Sequence, residues 1–129
     1  MARTFITSEQ KNARSHSHAV IVENPGKTVY LCGVTNRDAD RKAVIDSFGA
    51  AARATFDRLR DGVESAGGTL ADIVTMTVFL TDPRYGDEFV KIRAEYFEVD
   101  AYPASALVSV SHLADPKVLL EIQAIAVID

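Results

Sequence analysis

The chain has 129 residues and a mass of 14.0 kDa, so we expect residues 1–129 to form one domain. Apolar residues make up 47% and charged residues 25%, which excludes disordered, collagen-like and coiled-coil classes. A net charge of -4 gives no positively charged surface for nucleic acid, and every apolar run is too short for a membrane span. The single cysteine cannot form an internal disulfide, and the first residues lack the apolar run of a signal peptide. We therefore expect a cytoplasmic protein with neither nucleic-acid nor membrane partners.

The first half of the chain predicts a hairpin followed by a helix. Residues 17–22 and 28–33 read as strands on either side of a turn cluster, Asn24-Pro25-Gly26-Lys27, which predicts a β-hairpin. Over residues 44–66 the apolar positions recur every three or four residues, as on one face of an amphipathic helix. Asp40 is the expected N-cap, and two glycines end the helix.

The second half predicts a strand, a helix and two more strands. Residues 74–80 alternate and are rich in β-branched side chains; if the helix before them is a crossover, they form the second strand of a βαβ unit. Asp82-Pro83 predicts the start of a second amphipathic helix, with apolar positions up to Tyr96. Strands over residues 106–111 and 118–128 complete the prediction.

The last strand predicts self-association. Both of its faces are largely apolar, whereas two helices can cover only one side of a sheet. We therefore expect another copy of the chain to cover the second face; a sheet closed into a sandwich is the alternative. The two faces are Leu120, Ile122, Ala124, Ala126 and Ile128, and Leu119, Glu121, Gln123, Ile125 and Val127.

Four residues could carry chemistry. Glu121 interrupts an apolar strand, and a carboxylate there either carries protons and positions water or makes a polar contact across a subunit boundary. His16 and His18 alternate to one side of a strand and could form a metal site with Glu121. Only the two histidines are close in sequence, and no third ligand lies near them, so we expect no metal site. We expect the two histidines to make hydrogen bonds instead. Cys32 could be a nucleophile, but we expect an inert, buried core cysteine.

Three segments resemble the RidA (YjgF/YER057c/UK114) family, over almost the whole chain from His16 to Ile128. The segments are Tyr102-Pro103-Ala104-Ser105-Ala106, Leu120-Glu121-Ile122-Gln123-Ala124-Ile125-Ala126-Val127 and Val29-Tyr30-Leu31-Cys32-Gly33. The resemblance implies a chorismate-mutase-like α+β fold with a mixed sheet and two helices on one face. It also implies a homotrimer whose sheets pack around a central core, with clefts between subunits.

The resemblance also implies a chemistry. Family members hydrolyse enamines and imines such as 2-aminoacrylate to ketoacids and ammonia without a metal or organic cofactor; an arginine binds the substrate carboxylate and a glutamate holds the attacking water. The glutamate corresponds to Glu121, with His16 and His18 as further catalytic candidates. The arginine position is a serine here. The candidate substrate-binding residues are Ser105, Leu107, Val90, Gly33 and Cys32.

Because the carboxylate anchor is missing at position 105, generic 2-aminoacrylate turnover is not expected. The predicted function is a small-molecule hydrolase or deaminase acting on another enamine, imine or aminated catabolic intermediate. The alternative is a trimeric metabolite-binding or regulatory protein without turnover. An endoribonuclease or translation inhibitor fits the acidic composition poorly.

Overall fold

The computed structural model describes residues 1–129 and contains two β-sheets and three helices. A two-stranded sheet consists of β1 (Ala2–Ile6) and β2 (Ala19–Glu23). The main sheet has five strands, β3 (Lys27–Tyr30), β4 (Val34–Thr35), β5 (Ile73–Leu80), β6 (Ala104–Ser109) and β7 (Leu120–Ile128). The helices are α1 (Glu9–Ala13), α2 (Phe48–Ser65) and α3 (Gly86–Arg93), with 3-10 turns at Leu70–Asp72 and Pro83–Tyr85. None of the helices is both long and apolar enough to cross a membrane.

The main sheet is mixed and runs in the order β3-β7-β5-β6, with β4 also paired to β7. β7 is antiparallel to β3 and β5, whereas β5 and β6 are parallel neighbours joined through α3. The strands on either side of α2, β3 and β5, share a direction, as the predicted βαβ unit requires, and β7 lies between them in the sheet. The predicted α+β class with a mixed sheet and helices on one face is confirmed.

The predicted hairpin is wrong, because its two strands belong to different sheets. β2 pairs along its whole length with β1, a strand that the sequence analysis did not predict, whereas β3 pairs with β7. The turn between them passes the chain from one sheet to the other. Gly26 in this turn packs so closely on the end of β7 that a side chain there would clash with the carbonyl oxygen of Ile128.

α2 begins later than predicted, and its N-cap is Ser47 rather than Asp40. The Ser47 hydroxyl accepts a hydrogen bond from the backbone N–H of Ala50 at 3.0 Å. The chain before it is a loop in which the backbone N–H of Val44 donates to the carbonyl oxygen of Asn36, so helical pairing cannot start at Asp40. α2 ends at Ser65, just before the two glycines, as predicted. Gly67 has a φ of +92°, a conformation that favours glycine.

The main sheet has a helix face and an open face. α2 and α3 cover the helix face, and its central residues Met76, Val78 and Ile122 are almost completely buried. Alternate positions point to the opposite side, the open face, which includes Glu121 and Val108. Tyr30, which is also on this side, is 78% exposed. The open face is therefore the side that no helix covers.

Candidate functional site

A buried arginine lies at the end of α3, next to β6. Arg93 is only 2% exposed, and its Nη1 donates to Ser105 Oγ at 2.7 Å. Its Nε donates to Ser15 Oγ at 3.1 Å, and its Nη2 donates to the carbonyl oxygen of Arg14 at 3.1 Å. All three acceptors are neutral, and Arg93 takes part in no salt bridge. The protein thus buries a positive charge without a counter-ion.

The electrostatics of Arg93 favour a binding role over a stabilising one. Burial lowers the pKa of Arg93 to about 10, with repulsion from Arg14 as a smaller cause, so the guanidinium stays charged at neutral pH. A buried charge without an opposite partner is unfavourable for folding. A cation–π contact with Phe89, 5.2 Å from the ring centroid to the guanidinium carbon, offsets only part of this. Such an arrangement is typical of a site that awaits an anion.

A cavity of about 150 Å³ adjoins the guanidinium. At about 30 Å³ per water molecule, it has room for a few waters or one small organic acid. Its walls come from the segment before β2, from α3 and from β6, and are formed by Arg14, His16, Val90, Arg93, Ser105 and Leu107. Four residues predicted from the sequence, His16, Val90, Ser105 and Leu107, therefore lie together.

His16 lies at the wall of this cavity, in surroundings that favour its neutral form. Burial lowers its pKa, and the positive charges of Arg93, Lys11 and Arg14 act in the same direction, against a hydrogen bond to the Arg14 carbonyl that raises it. Because a carbonyl oxygen can only accept, the contact of 3.3 Å between Nδ1 and this oxygen assigns the proton to Nδ1. Nε2 is then left with a lone pair, able to accept a proton.

A guanidinium lies beside Ser105, although the sequence has no arginine at position 105 itself. Position 105 is a serine, but the guanidinium of Arg93 reaches its hydroxyl from the neighbouring helix. Arg93 was not predicted as a site residue, because a basic residue near the end of an amphipathic helix is usually exposed. A signal was present, since Arg93 follows the buried Phe89 by four residues and thus lies on the same side of α3.

Glu121 forms a second group together with Gly33. Glu121 is half-buried in β7 on the open face and makes no hydrogen bond or salt bridge within the chain. Gly33 lies directly against the carboxylate, so that any side chain at Gly33 would clash with Glu121 Oε2. The carboxylate is therefore free for an external partner.

The two groups lie on opposite faces of the main sheet. Ser105 is paired with Met76, a core residue of the helix face, and its hydroxyl points to α3. Glu121 is paired with Phe79, on the alternate positions of the open face. One chain therefore does not bring Ser105 and Glu121 together, and a site that uses both needs a second subunit.

The remaining candidates lie outside the cavity beside Arg93. Cys32 is exposed, and the prediction that it is buried is wrong, because β3 ends at Tyr30 and Cys32 is in the irregular segment that follows. His18 is exposed and does not line the cavity. The chain contains no group of three His, Cys, Asp or Glu side chains placed to hold a metal ion.

Comparisons with known proteins agree on one family. The family model described as Endoribonuclease L-PSP matches residues 7–128. A RutC family protein of Sulfurisphaera tokodaii is 32% identical over 127 residues, covering 97% of each chain. The crystal structure of YyfB from Yersinia pestis, of the conserved Rid protein family and of unknown function, superposes with a TM-score of 0.88 at 25% identity, covering 99% of this chain and 100% of the other. RidA of an Antarctic Psychrobacter gives a TM-score of 0.74 at 31% identity over 88% and 89% of the two chains.

Proposed function

The chain belongs to the RidA (YjgF/YER057c/UK114) family, and from this premise we propose that it hydrolyses small enamines or imines bearing a carboxylate, in clefts between subunits. The observation that carries the proposal is the buried, unpaired charge of Arg93 beside an open cavity. The reaction needs no metal or organic cofactor.

Arg93 has the donors needed to bind the substrate carboxylate. A guanidinium has five N–H donors, and the three hydrogen bonds within the chain leave two of them for a ligand. A planar guanidinium matches a carboxylate with two parallel hydrogen bonds. The apolar side chains of Val90 and Leu107 line the same cavity and favour an imine with an apolar side chain over 2-aminoacrylate.

The carboxylate that accepts a proton from the attacking water is Glu121 of a neighbouring subunit. Glu121 is unpaired on the open face, which also exposes Tyr30 and Val108. Packing of this apolar surface against another copy, in a homotrimer, would cover it and bring Glu121 of one chain towards Arg93 of the next.

The proposed reaction is the hydrolysis of an imine to a ketoacid and ammonia. Glu121 accepts a proton from water as the water oxygen bonds to the imine carbon, and it then donates this proton to the imine nitrogen, which restores the carboxylate. His16, through the lone pair on Nε2, accepts the hydroxyl proton of the resulting carbinolamine and passes it to the nitrogen. The carbon–nitrogen bond then breaks, ammonia leaves with the electron pair, and a ketoacid remains. One water is consumed.

The test couples the protein to an amino-acid oxidase that releases imines from leucine or alanine. We expect faster ammonia release, with the leucine-derived imine preferred. Glu121→Gln should abolish turnover but retain binding of the ketoacid product, whereas Arg93→Met should abolish both. Lys91→Met, an exposed change on the same helix, is the control and should behave like the parent protein. Binding without turnover would leave a ligand-binding protein, and the absence of both would refute the proposal.

A further inference from the structure

A second, larger cavity shares no lining residue with the cavity beside Arg93. It has a volume of about 490 Å³ and is formed by β4, the loop after β4 and the middle of α2. Three of its lining residues are arginines, Arg37, Arg41 and Arg58, and one is acidic, Asp38. We call it the basic cavity. Its character contrasts with the chain as a whole, which carries a net charge of -4.

The single acid in the basic cavity forms no salt bridge with the arginines. Oδ1 of Asp38 accepts hydrogen bonds from the backbone N–H groups of Asp40 and Lys42, both at 2.9 Å, and forms no salt bridge. Backbone amides thus hold this carboxylate in place as part of the loop.

Two of the three guanidiniums are available for a ligand. Arg37 is paired with Asp115 at 2.9 Å. Arg58 makes one hydrogen bond, from Nη1 to the neutral carbonyl oxygen of Asp38 at 3.1 Å, and the guanidinium of Arg41 makes none. Of the five donors that each guanidinium has, nearly all remain free on Arg41 and Arg58. Two free guanidiniums that line one cavity fit a doubly charged oxyanion better than a single carboxylate.

We propose that the basic cavity binds the phosphate group of a small molecule. A phosphate monoester carries a charge of roughly -1.5 to -2 at neutral pH, which two guanidiniums match. A volume of about 490 Å³ holds such a group together with an organic part of moderate size. This site goes beyond the hydrolytic function and does not depend on it.

Calorimetric titration of the whole protein with pyrophosphate and inorganic phosphate tests the proposal. We expect saturable binding that weakens as ionic strength rises, and a loss of affinity of about tenfold or more in Arg58→Gln and in Arg41→Gln. The matched control is Arg53→Gln on the same helix, because Arg53 lies outside the basic cavity and pairs with the exposed Glu95. Arg41 is exposed, so its variant keeps the test valid if Arg58→Gln does not fold.

Several results would overturn the proposal. They are the absence of saturable binding, an affinity unchanged in both cavity variants, or an equal loss in the Arg53→Gln control. Citrate binding as tightly as pyrophosphate would instead identify a carboxylate site. Tighter binding of a ribo-oligonucleotide, with a steep salt dependence, would identify a nucleic-acid surface.

Discussion

Replacing Arg93 by methionine should increase stability while it removes carboxylate binding. Methionine is flexible, unbranched and uncharged, so it replaces the aliphatic part of Arg93 between α3 and β6 without the unpaired guanidinium. Replacing a buried charge by a well-packed apolar side chain is often neutral or stabilising. Here the charge has no ionic partner, so the substitution leaves no opposite charge stranded.

The magnitude follows from the pKa of Arg93 and from the hydrogen bonds that are lost. Lowering the pKa from its ordinary value to about 10 corresponds to about 3 kcal/mol against the charged form in the folded state. Two of the three acceptors keep another partner: Ser15 Oγ donates to the Val90 carbonyl, and the Arg14 carbonyl faces His16. Ser105 Oγ, which can turn towards the Ala106 carbonyl, adds a loss of about 1 kcal/mol. The net expectation is a gain of about 2 kcal/mol.

Two assays on the same variant measure the two effects. Thermal unfolding at fixed protein concentration should give a Tm higher by roughly 6 °C in Arg93→Met. Titration with 4-methyl-2-oxopentanoate, the ketoacid from the leucine-derived imine, should show a loss of about thirty-fold or more. The control Lys91→Met should leave both values unchanged. A destabilisation of more than about 2 kcal/mol in Arg93→Met, with ketoacid binding retained, would refute the reasoning and make Arg93 a structural residue.

Three further predictions concern assembly, position 105 and pH. Light scattering should give a mass of about 42 kDa, three times the chain mass of 14.0 kDa, and a mass near 14.0 kDa would contradict the trimer. Ser105→Arg should lower the free energy of unfolding by about 3–5 kcal/mol, because a second guanidinium would lie against Arg93. The double variant Arg93→Ser with Ser105→Arg should recover most of this loss; equal stability of the parent protein and Ser105→Arg would contradict the contact. Ketoacid binding should be intact at neutral pH and fall as the pH rises through about 10, where Arg93 loses its proton, and a flat profile up to pH 11 would show that Arg93 does not bind the anion.

Local sequence patterns predicted many of the helices and strands. They did not predict which strands pair when the partners are far apart in the sequence. The alternation in β7 placed Ile122 and Ala124 on one face, which the structure shows to be buried, and the spacing of apolar residues in α2 identified its buried side. The partner of β2 could not be read from its own residues, since β1 and β3 compete for it and tertiary packing decides between them. Cys32 was misplaced for the same reason, because where β3 ends depends on its pairing with β7.

Some residues of the candidate site could likewise be predicted from the sequence, and others could not. His16, Ser105 and Leu107 were identified from the resemblance, and the structure brings them to one cavity. Arg93 was missed because its burial results from the packing of α3 against β6 and the segment before β2; the spacing from Phe89 indicates only the side of α3 on which Arg93 lies. The separation of Ser105 and Glu121 on opposite faces depends on the register of β5 with both of its neighbours.

Subunit complementation tests most directly the claim that Arg93 and Glu121 act across a subunit boundary. Arg93→Met and Glu121→Gln chains, each inactive alone, are unfolded together at equal amounts and reassembled. In a cyclic trimer each mixed assembly contains one cleft with both native residues, so random mixing should restore about a quarter of the parent rate of imine hydrolysis. Mixed assemblies that show no more activity than the two variants measured separately would contradict the shared site.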